Sequence, residues 1–426
     1  MTHNNQRGNM ENEFRHFVGI DWAMEEHQVC VIDGKRKVVD ERVVKHTGTA
    51  IAELATWLGT LGDPKSIAVA IETPHGAVVE MLMERGFTVF HLNPKQLDRF
   101  RDRHRVSGVK NDRLDAFVLA DALRTDQPSF HQVVMAEDDV QLLRELVRAD
   151  DELVKEANGL ANRLREQLLR FFPQVLELCP SLDEPWVWAL LELLPTPDSA
   201  AKAKESAVAK LLSHHRIRRI GAREVLATLG KPPLRVGAGT VLAASARIRL
   251  LLPRLKLVSE QRRAVEKDVK QLLQKLAEKE PSEGQVCEHR DVTILLSLPG
   301  VGWKVTATML AEADEALAAR DYSALRALAG VAPVTKQTGK NKKGRPEMRR
   351  AANSRLRNAH YHWARVAAQT DPHAKAQYAA LRSKGHSHGR SLRGVADRNL
   401  RVLMAMLRGG TLYDPTRPVK ANNAGG

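Results

Sequence analysis

Four carboxylates in the first third of the chain have the residue type and setting of a site that holds divalent cations for phosphodiester chemistry. They are Asp21 in FVGIDWA, Glu72 in VAIETPHG, and Asp112 with Asp115 in KNDRLDA. Asp112 and Asp115 are three positions apart, so on a helix they project from one face. Four carboxylates offer hard oxygen donors for two ions, magnesium or manganese. Paired ions of this kind activate an attacking oxygen and stabilise a leaving one in an in-line displacement. Taken alone, Asp112 or Asp115 is better read as a helix cap or a partner of the helix dipole. Asp21 is different, because a carboxylate closing an apolar strand is costly to bury unless it is paired or metal-bound.

For the four to meet, the intervening chain must bring their ends to one edge. Residues 17–22, 28–32 and 37–45 read as three short antiparallel strands, with Asp33-Gly34 as a hairpin turn. Residues 49–59 have helical spacing, 66–72 form an apolar run fit for a buried strand, 77–85 are helical and 88–92 are a last strand. Residues 95–104 and 112–124 supply two more helices. The order β-β-β-α-β-α-β-α is that of ribonuclease-H-like (RuvC-like) α/β domains, in which ligands gather beyond the carboxyl ends of the parallel strands. Asp21 and Glu72 fall at such ends.

The charge distribution points to a nucleic-acid partner. Residues 336–410 hold 18 Lys or Arg against 3 Asp or Glu, an excess equal to the +15 of the whole chain. With five histidines and the aromatics Tyr361 and Trp363, this segment suits a phosphate backbone, and a solvated basic face is the plainer alternative. Cys30, Cys179 and Cys287 are isolated, which speaks against a disulfide framework and fits a reducing cytoplasm. No apolar run is long enough for a membrane span.

Two helical arms separate the acidic region from the basic one. Residues 138–171 carry leucines at helical spacing until Pro173; residues 255–280 carry a heptad-like seam of Val258, Val265 and Leu272. They are expected to pair as an antiparallel coiled coil, within one chain or between two, around an irregular insert at 182–250. Further on, Leu298-Pro299-Gly300-Val301-Gly302 divides two helical segments in the manner of a helix-hairpin-helix. Gly300, Gly302 and Lys304 are then candidate phosphate contacts, although a tight turn in a helical domain explains the motif almost as well. The expected organisation is a disordered 1–13, an α/β domain at 14–130, a helical region at 131–285, a mostly α-helical C-terminal domain at 286–414, and a disordered tail at 415–426.

The ordered set GIDWA, IETPHG, KNDRLDA, LPGVG, LAGVAPVTKQTGK and YHWARVAAQTDPHAKAQYAALRSKGHSHGRSLR resembles the DEDD-type insertion-sequence transposases related to Piv invertases, a group that includes bridge-RNA-guided recombinases. The likeness covers residues 15 to 414. It implies that Asp21, Glu72, Asp112 and Asp115 are a metal-binding quartet. It also implies that a C-terminal serine is the nucleophile, with domains of different protomers combining in one active site. Element ends and target DNA, a structured guide RNA and a dimeric or tetrameric assembly in a prokaryotic cytoplasm follow from the same likeness. At the position of the serine this chain has Thr338, a secondary, β-branched hydroxyl with restricted rotation. Lys336, Lys340, Lys342, Lys343 and Arg345 surround it and are candidate phosphate contacts. Two other activities fit the same residues: a junction-resolvase-like nuclease that uses water as nucleophile, and a nucleic-acid-binding protein whose site has decayed.

Overall fold

The computed structural model describes residues 14–92, 94–102, 111–278, 288–338 and 341–416. The expected disordered N-terminus and residues 417–426 of the expected disordered tail lie outside them. The chain forms two compact units that divide between Ala136 and Glu137.

The first unit is a mixed sheet with helices on both faces. Its elements are β1 (His16–Asp21), β2 (Glu26–Asp33), β3 (Val38–Lys45), α1 (Gly48–Gly59), β4 (Ile67–Ile71), α2 (Ala77–Glu84), β5 (Thr88–His91), α3 (Pro94–Asp102), α4 (Asp112–Asp126) and a two-residue β6 (His131–Gln132). The sheet order is β3-β2-β1-β4-β5-β6. The first three strands are antiparallel, β1, β4 and β5 are parallel, and β6 returns antiparallel to β5. Sequence reasoning missed β6, which is too short to carry a periodic signal. The β2–β3 turn falls at Asp33-Gly34, where the Asp33 carboxylate accepts from the backbone of Lys35 and Lys37 and Arg36 takes a positive φ of 70°.

Strand alternation sorts the core. Val18 and Ile20 face α1 and α2 with Leu54, Leu58, Val79 and Leu82, whereas Phe17, Ala68 and Ala70 face α3 and α4 with Leu97, Leu119 and Leu123. β4 is buried along its whole length, as a central parallel strand covered on both faces must be. Gly19 stands where α4 crosses β1. A Cβ there would lie 1.9 Å from the Ala116 carbonyl oxygen and 2.6 Å from the Ala120 nitrogen, so only glycine lets the helix settle on the strand.

The second unit is helical apart from one hairpin. α5 (Asp138–Phe171) and α11 (Ala238–Glu278) run side by side in opposite directions, tied by Asp139 to Lys275, Asp150 to Arg262 and Glu156 to Arg254. The arms therefore pair within the chain. The second arm starts at Ala238 rather than near 255, because the helix runs through Pro253 with Ile248, Leu251 and Leu252 buried on either side of it. Nor is the insert irregular. After α6 (Gln174–Leu178), its helical stretches are α7 (Pro185–Leu193), α8 (Pro197–Ala201), α9 (Glu205–His214) and α10 (Ala222–Leu229), with a core around Trp186, Trp188 and Leu190 shared with the adjoining parts of α5 and α11.

Beyond α11 lie α12 (Glu288–Leu296), α13 (Trp303–Glu312), α14 (Asp314–Ala318), α15 (Tyr322–Leu328), the hairpin β7 (Pro333–Thr338) and β8 (Asn341–Met348), then α16 (Ser354–Thr370), α17 (Pro372–Ser383) and α18 (His388–Gly409). This region is mostly helical, as expected, and the hairpin is its one pair of strands among the described residues. Buried Asp150 on α5 binds Lys304 of α13 as well as Arg262, and Glu312 of α13 accepts from Asn353 at 2.7 Å and pairs with Arg148 at 3.2 Å. A buried carboxylate with several donors resists the loss of any one far better than an isolated ion pair would.

Candidate metal centre

Asp21 ends β1 and Glu72 follows β4. In the parallel register Gly19 lies beside Ala70, so Asp21 and Glu72, each two residues on, continue the same alternation toward the α4 face. Asn111 caps α4 by accepting from the Arg113 N–H, which leaves Asp112 and Asp115 in the first turn free of capping duty. The seating of α4 against Gly19 brings that turn to the strand ends.

The electrostatics show the convergence. The Asp21 carboxyl is pushed up to about 6, first by burial and then by Asp115, Asp112 and Glu72, with Arg101 partly offsetting them. Each of the other three carboxylates is thus close enough to act on Asp21. A half-buried carboxyl raised by burial and further by like charges is one that a cation would relieve. Among the described residues the one trio whose ligand atoms all lie within 4.8 Å of one another is Cys179, Asp183 and Glu184, so the quartet is wider than a single-ion cage. Two ions that keep part of their water suit such spacing. The donor set, all carboxylate, fits hard divalent cations.

Several neighbours escaped the sequence reading. Arg101 on α3 donates through Nε to Asp115 at 2.6 Å and through Nη1 to Asp98 at 2.7 Å. It supplies the internal countercharge; the i,i+3 spacing from Asp98 was a visible signal, but its reach to Asp115 depends on how α3 and α4 pack. His91 has its pKa lowered, chiefly by burial and then by His131, and it hydrogen-bonds to the Glu72 main chain. Trp22, directly after Asp21, stacks on buried His27 with ring centroids 6.1 Å apart, and His27 Nε2 lies 2.8 Å from His46 Nδ1. The Ala23 N–H donates to His27 Nδ1, which makes Nε2 the protonated nitrogen of that ring. This contact fixes the loop that follows the carboxylate.

Charge crowding at Asp21 has a measurable consequence. Folded Asp21 holds its proton more tightly than an unfolded aspartate at 3.8, so its contribution to stability is complete below pH 4 and is lost as pH rises through about 6. Asp21→Asn removes this loss. In metal-free buffer the variant should unfold at a higher temperature than wild type above pH 6.5, by about 1 kcal/mol after allowance for solvent screening of a half-buried group, and match it at pH 4. Thermal melts at the two pH values read this directly, and a gap of the same size at both would sink it.

The other sequence candidates lie in the second unit. Gly300 has φ of 78°, and a Cβ there would lie 2.9 Å from the Ala367 nitrogen. Trp363 Nε1 donates to the Pro299 carbonyl at 3.0 Å. The glycine is thus needed for packing on α16, and Lys304 is committed to Asp150 and Asp151. Of the three residues in this motif, Gly302 alone opens onto free space. Thr338 is the last residue of β7 and pairs across the hairpin with Asn341. Lys336 lies on β7 and Lys342, Lys343 and Arg345 on β8; Lys340 lies outside the described residues. No helix among the described residues is long and apolar enough to cross a membrane.

Comparison with known proteins places the chain in a family. A transposase family model of the DEDD IS110 type matches residues 18–173, and the model of the transposase IS116/IS110/IS902 family matches residues 292–379. The y4uE protein of Sinorhizobium fredii is 48% identical over 221 residues, which is 51% of this chain and 62% of that protein. The IS117 mini-circle protein of Streptomyces coelicolor is 32% identical over 96% of this chain and 97% of its own, and the IS110 43.6 kDa protein of the same organism is 30% identical over 94% and 96%. With one family model covering the carboxylate quartet, a second covering most of the hairpin-bearing region, and a relative matched from end to end, the chain belongs to the IS110-type family of insertion-element transposases.

Proposed function

We propose that the protein exchanges DNA strands through a covalent protein–DNA intermediate, with Asp21, Glu72, Asp112 and Asp115 holding divalent metal ions and Thr338 supplying the attacking hydroxyl. The convergence of four carboxylates on one sheet edge, felt as the raised Asp21 carboxyl, carries this reading. Bound ions would neutralise the scissile phosphate and favour deprotonation of the attacking oxygen. Thr338 Oγ1 forms a bond to phosphorus as the bond to one strand leaves, and that strand departs as a hydroxyl. The hydroxyl of a second strand then attacks the same phosphorus and releases Thr338. One phosphoester is exchanged for another at each step, so no external energy source is needed. Lys336, Lys340, Lys342, Lys343 and Arg345 give the hairpin the charge to hold a phosphate backbone. Element ends and target are the proposed DNA partners, and the family resemblance adds a structured guide RNA and a homo-oligomer.

The carboxylates are tested by a recombination assay on donor and target plasmids carrying the native flanking DNA. Asp21→Ala and Glu72→Ala should each lower junction formation by at least about a hundredfold, as should chelation of divalent ions. Full activity in both variants would end the reading. The threonine itself favours a second one, in which water attacks and the protein nicks DNA hydrolytically. Covalent adducts would then be missing while nicks persist.

A further inference from the structure

The second unit contains a cavity of about 420 Å³ between α16, α18 and the segments flanking the β7–β8 hairpin, a size that takes a small ligand. Buried Leu392, Ala396 and His360 form its floor, and exposed Tyr361 and Met348 stand at its mouth. Its lining is apolar at Ala329, Val331, Leu392 and Ala396 and polar where Ser354, Asn358, Arg357 and Arg393 border it.

Around these arginines Arg320 is held by Asp291, Arg326 by Asp397, Arg355 by Asp151 and Arg398 by Asp371. Among the described residues neither Arg357 nor Arg393 has a carboxylate partner. Arg357 Nη2 reaches the Arg350 and Ala352 carbonyls at 3.3 and 3.5 Å, and Arg393 Nη1 lies 3.7 Å from Met348 Sδ. No carboxylate lines the cavity. Gly330, at φ of 66°, leaves room for the Arg357 guanidinium, since a Cβ there would lie 3.3 Å from its Nε. His360 adds no charge: its Nδ1 donates to the Leu356 carbonyl at 2.7 Å, and burial pushes its pKa down to about 4.

Two guanidiniums without a carboxylate partner among the described residues, beside a partly apolar, tyrosine-edged hollow, match a phosphate joined to a flat aromatic heterocycle. We infer that this cavity binds a single unpaired nucleotide of the nucleic acid on which the protein acts, with its base in the hollow and its phosphate between Arg357 and Arg393. A paired base cannot enter, because its face is stacked and its edge occupied. The inference rests on the nucleic-acid reading above and deepens it, adding a contact to a displaced strand or a loop. Its position next to the hairpin places the contact within the basic segment that carries Thr338.

The test uses the full chain and three labelled probes in fluorescence anisotropy: a 12-nucleotide single-stranded DNA, the RNA of the same sequence, and the duplex DNA. Ala396→Leu fills the floor without altering charge, and Arg357→Gln with Arg393→Gln removes the cations. Ala396→Leu should weaken single-strand binding about tenfold and change duplex binding less than about twofold; the double variant should cost the single strand more than the duplex. A loss confined to the DNA strand or to the RNA strand identifies which nucleic acid supplies the nucleotide. Equal losses on duplex and single strand, or no loss from a variant whose melting temperature matches wild type, would overturn the pocket. If Ala396→Leu fails to fold, the arginine pair decides on the same criterion. Wild type that binds none of the three probes brings down the nucleic-acid reading itself, a distinct result.

Discussion

Gly19→Ala should abolish strand exchange without touching a carboxylate. The added methyl would sit 1.9 Å from the Ala116 carbonyl oxygen and 2.6 Å from the Ala120 nitrogen, both backbone atoms of α4 that no rotamer change can move. The helix must lift from β1, and with it go Asp112 and Asp115, while Asp21 and Glu72 stay on their strands. Overpacking of this kind costs about 1–3 kcal/mol even when side chains give way, and here the backbone must. A shift of about 1 Å in a reacting group can cost roughly a hundredfold in rate. The variant should therefore melt lower than wild type and lose at least about a hundredfold in junction formation, while the DNA binding proposed for the hairpin changes little, because the hairpin lies in the other unit. A variant that melts lower but recombines normally would show that α4 can shift without disturbing the site.

The same contact explains what the sequence could and could not convey. Asp21 and Glu72 were legible because strand alternation is a local property: once β1 and β4 are parallel neighbours, the ends of their apolar runs coincide. Asp112 and Asp115 were legible as a pair from their three-residue spacing, but their approach to the strands depends on Gly19, whose role appears only once α4 is laid over it. Arg101 was missed for a similar reason, since its partner is fourteen residues away across a helix–helix contact.

Elsewhere the failures were failures of punctuation. The second arm was expected to begin near residue 255, and Pro253, which lacks a backbone donor and crowds the preceding turn, lies just before that point. Buried Ile248, Leu251, Leu252 and Leu255 nevertheless carry α11 through it, and tertiary packing outweighs the local preference. The β7–β8 hairpin gave no strand signal, since Pro333, Val334 and Thr335 are exposed and the lysine-rich sequence of β8 shows no apolar alternation. Gly300 was singled out as letting the turn approach a phosphate, whereas in the structure its positive φ of 78° serves close packing against α16.

Thr338→Ala should eliminate both the covalent protein–DNA adduct and the recombinant junctions, with a loss of at least about a thousandfold, since removing a nucleophile leaves only the binding and electrostatic parts of catalysis. Thr338→Ser should keep the adduct and equal or exceed wild type, by up to about tenfold. The change replaces a secondary hydroxyl by a primary one and removes the γ-methyl that restricts χ1 and crowds the approach to phosphorus. Both variants should bind DNA as wild type does, because the basic residues of the hairpin and of α16 to α18 are unaltered. The comparison separates three chemistries by pattern rather than by size. Adduct in wild type and Ser but not in Ala assigns the nucleophile. Cleavage indifferent to all three side chains assigns the attack to water and leaves the quartet as a hydrolytic site. Products from Ser alone mean that the scaffold is intact and the γ-methyl at position 338 is what silences it. Denaturing gels of trapped complexes, with the linkage mapped by mass spectrometry, distinguish these outcomes in one experiment.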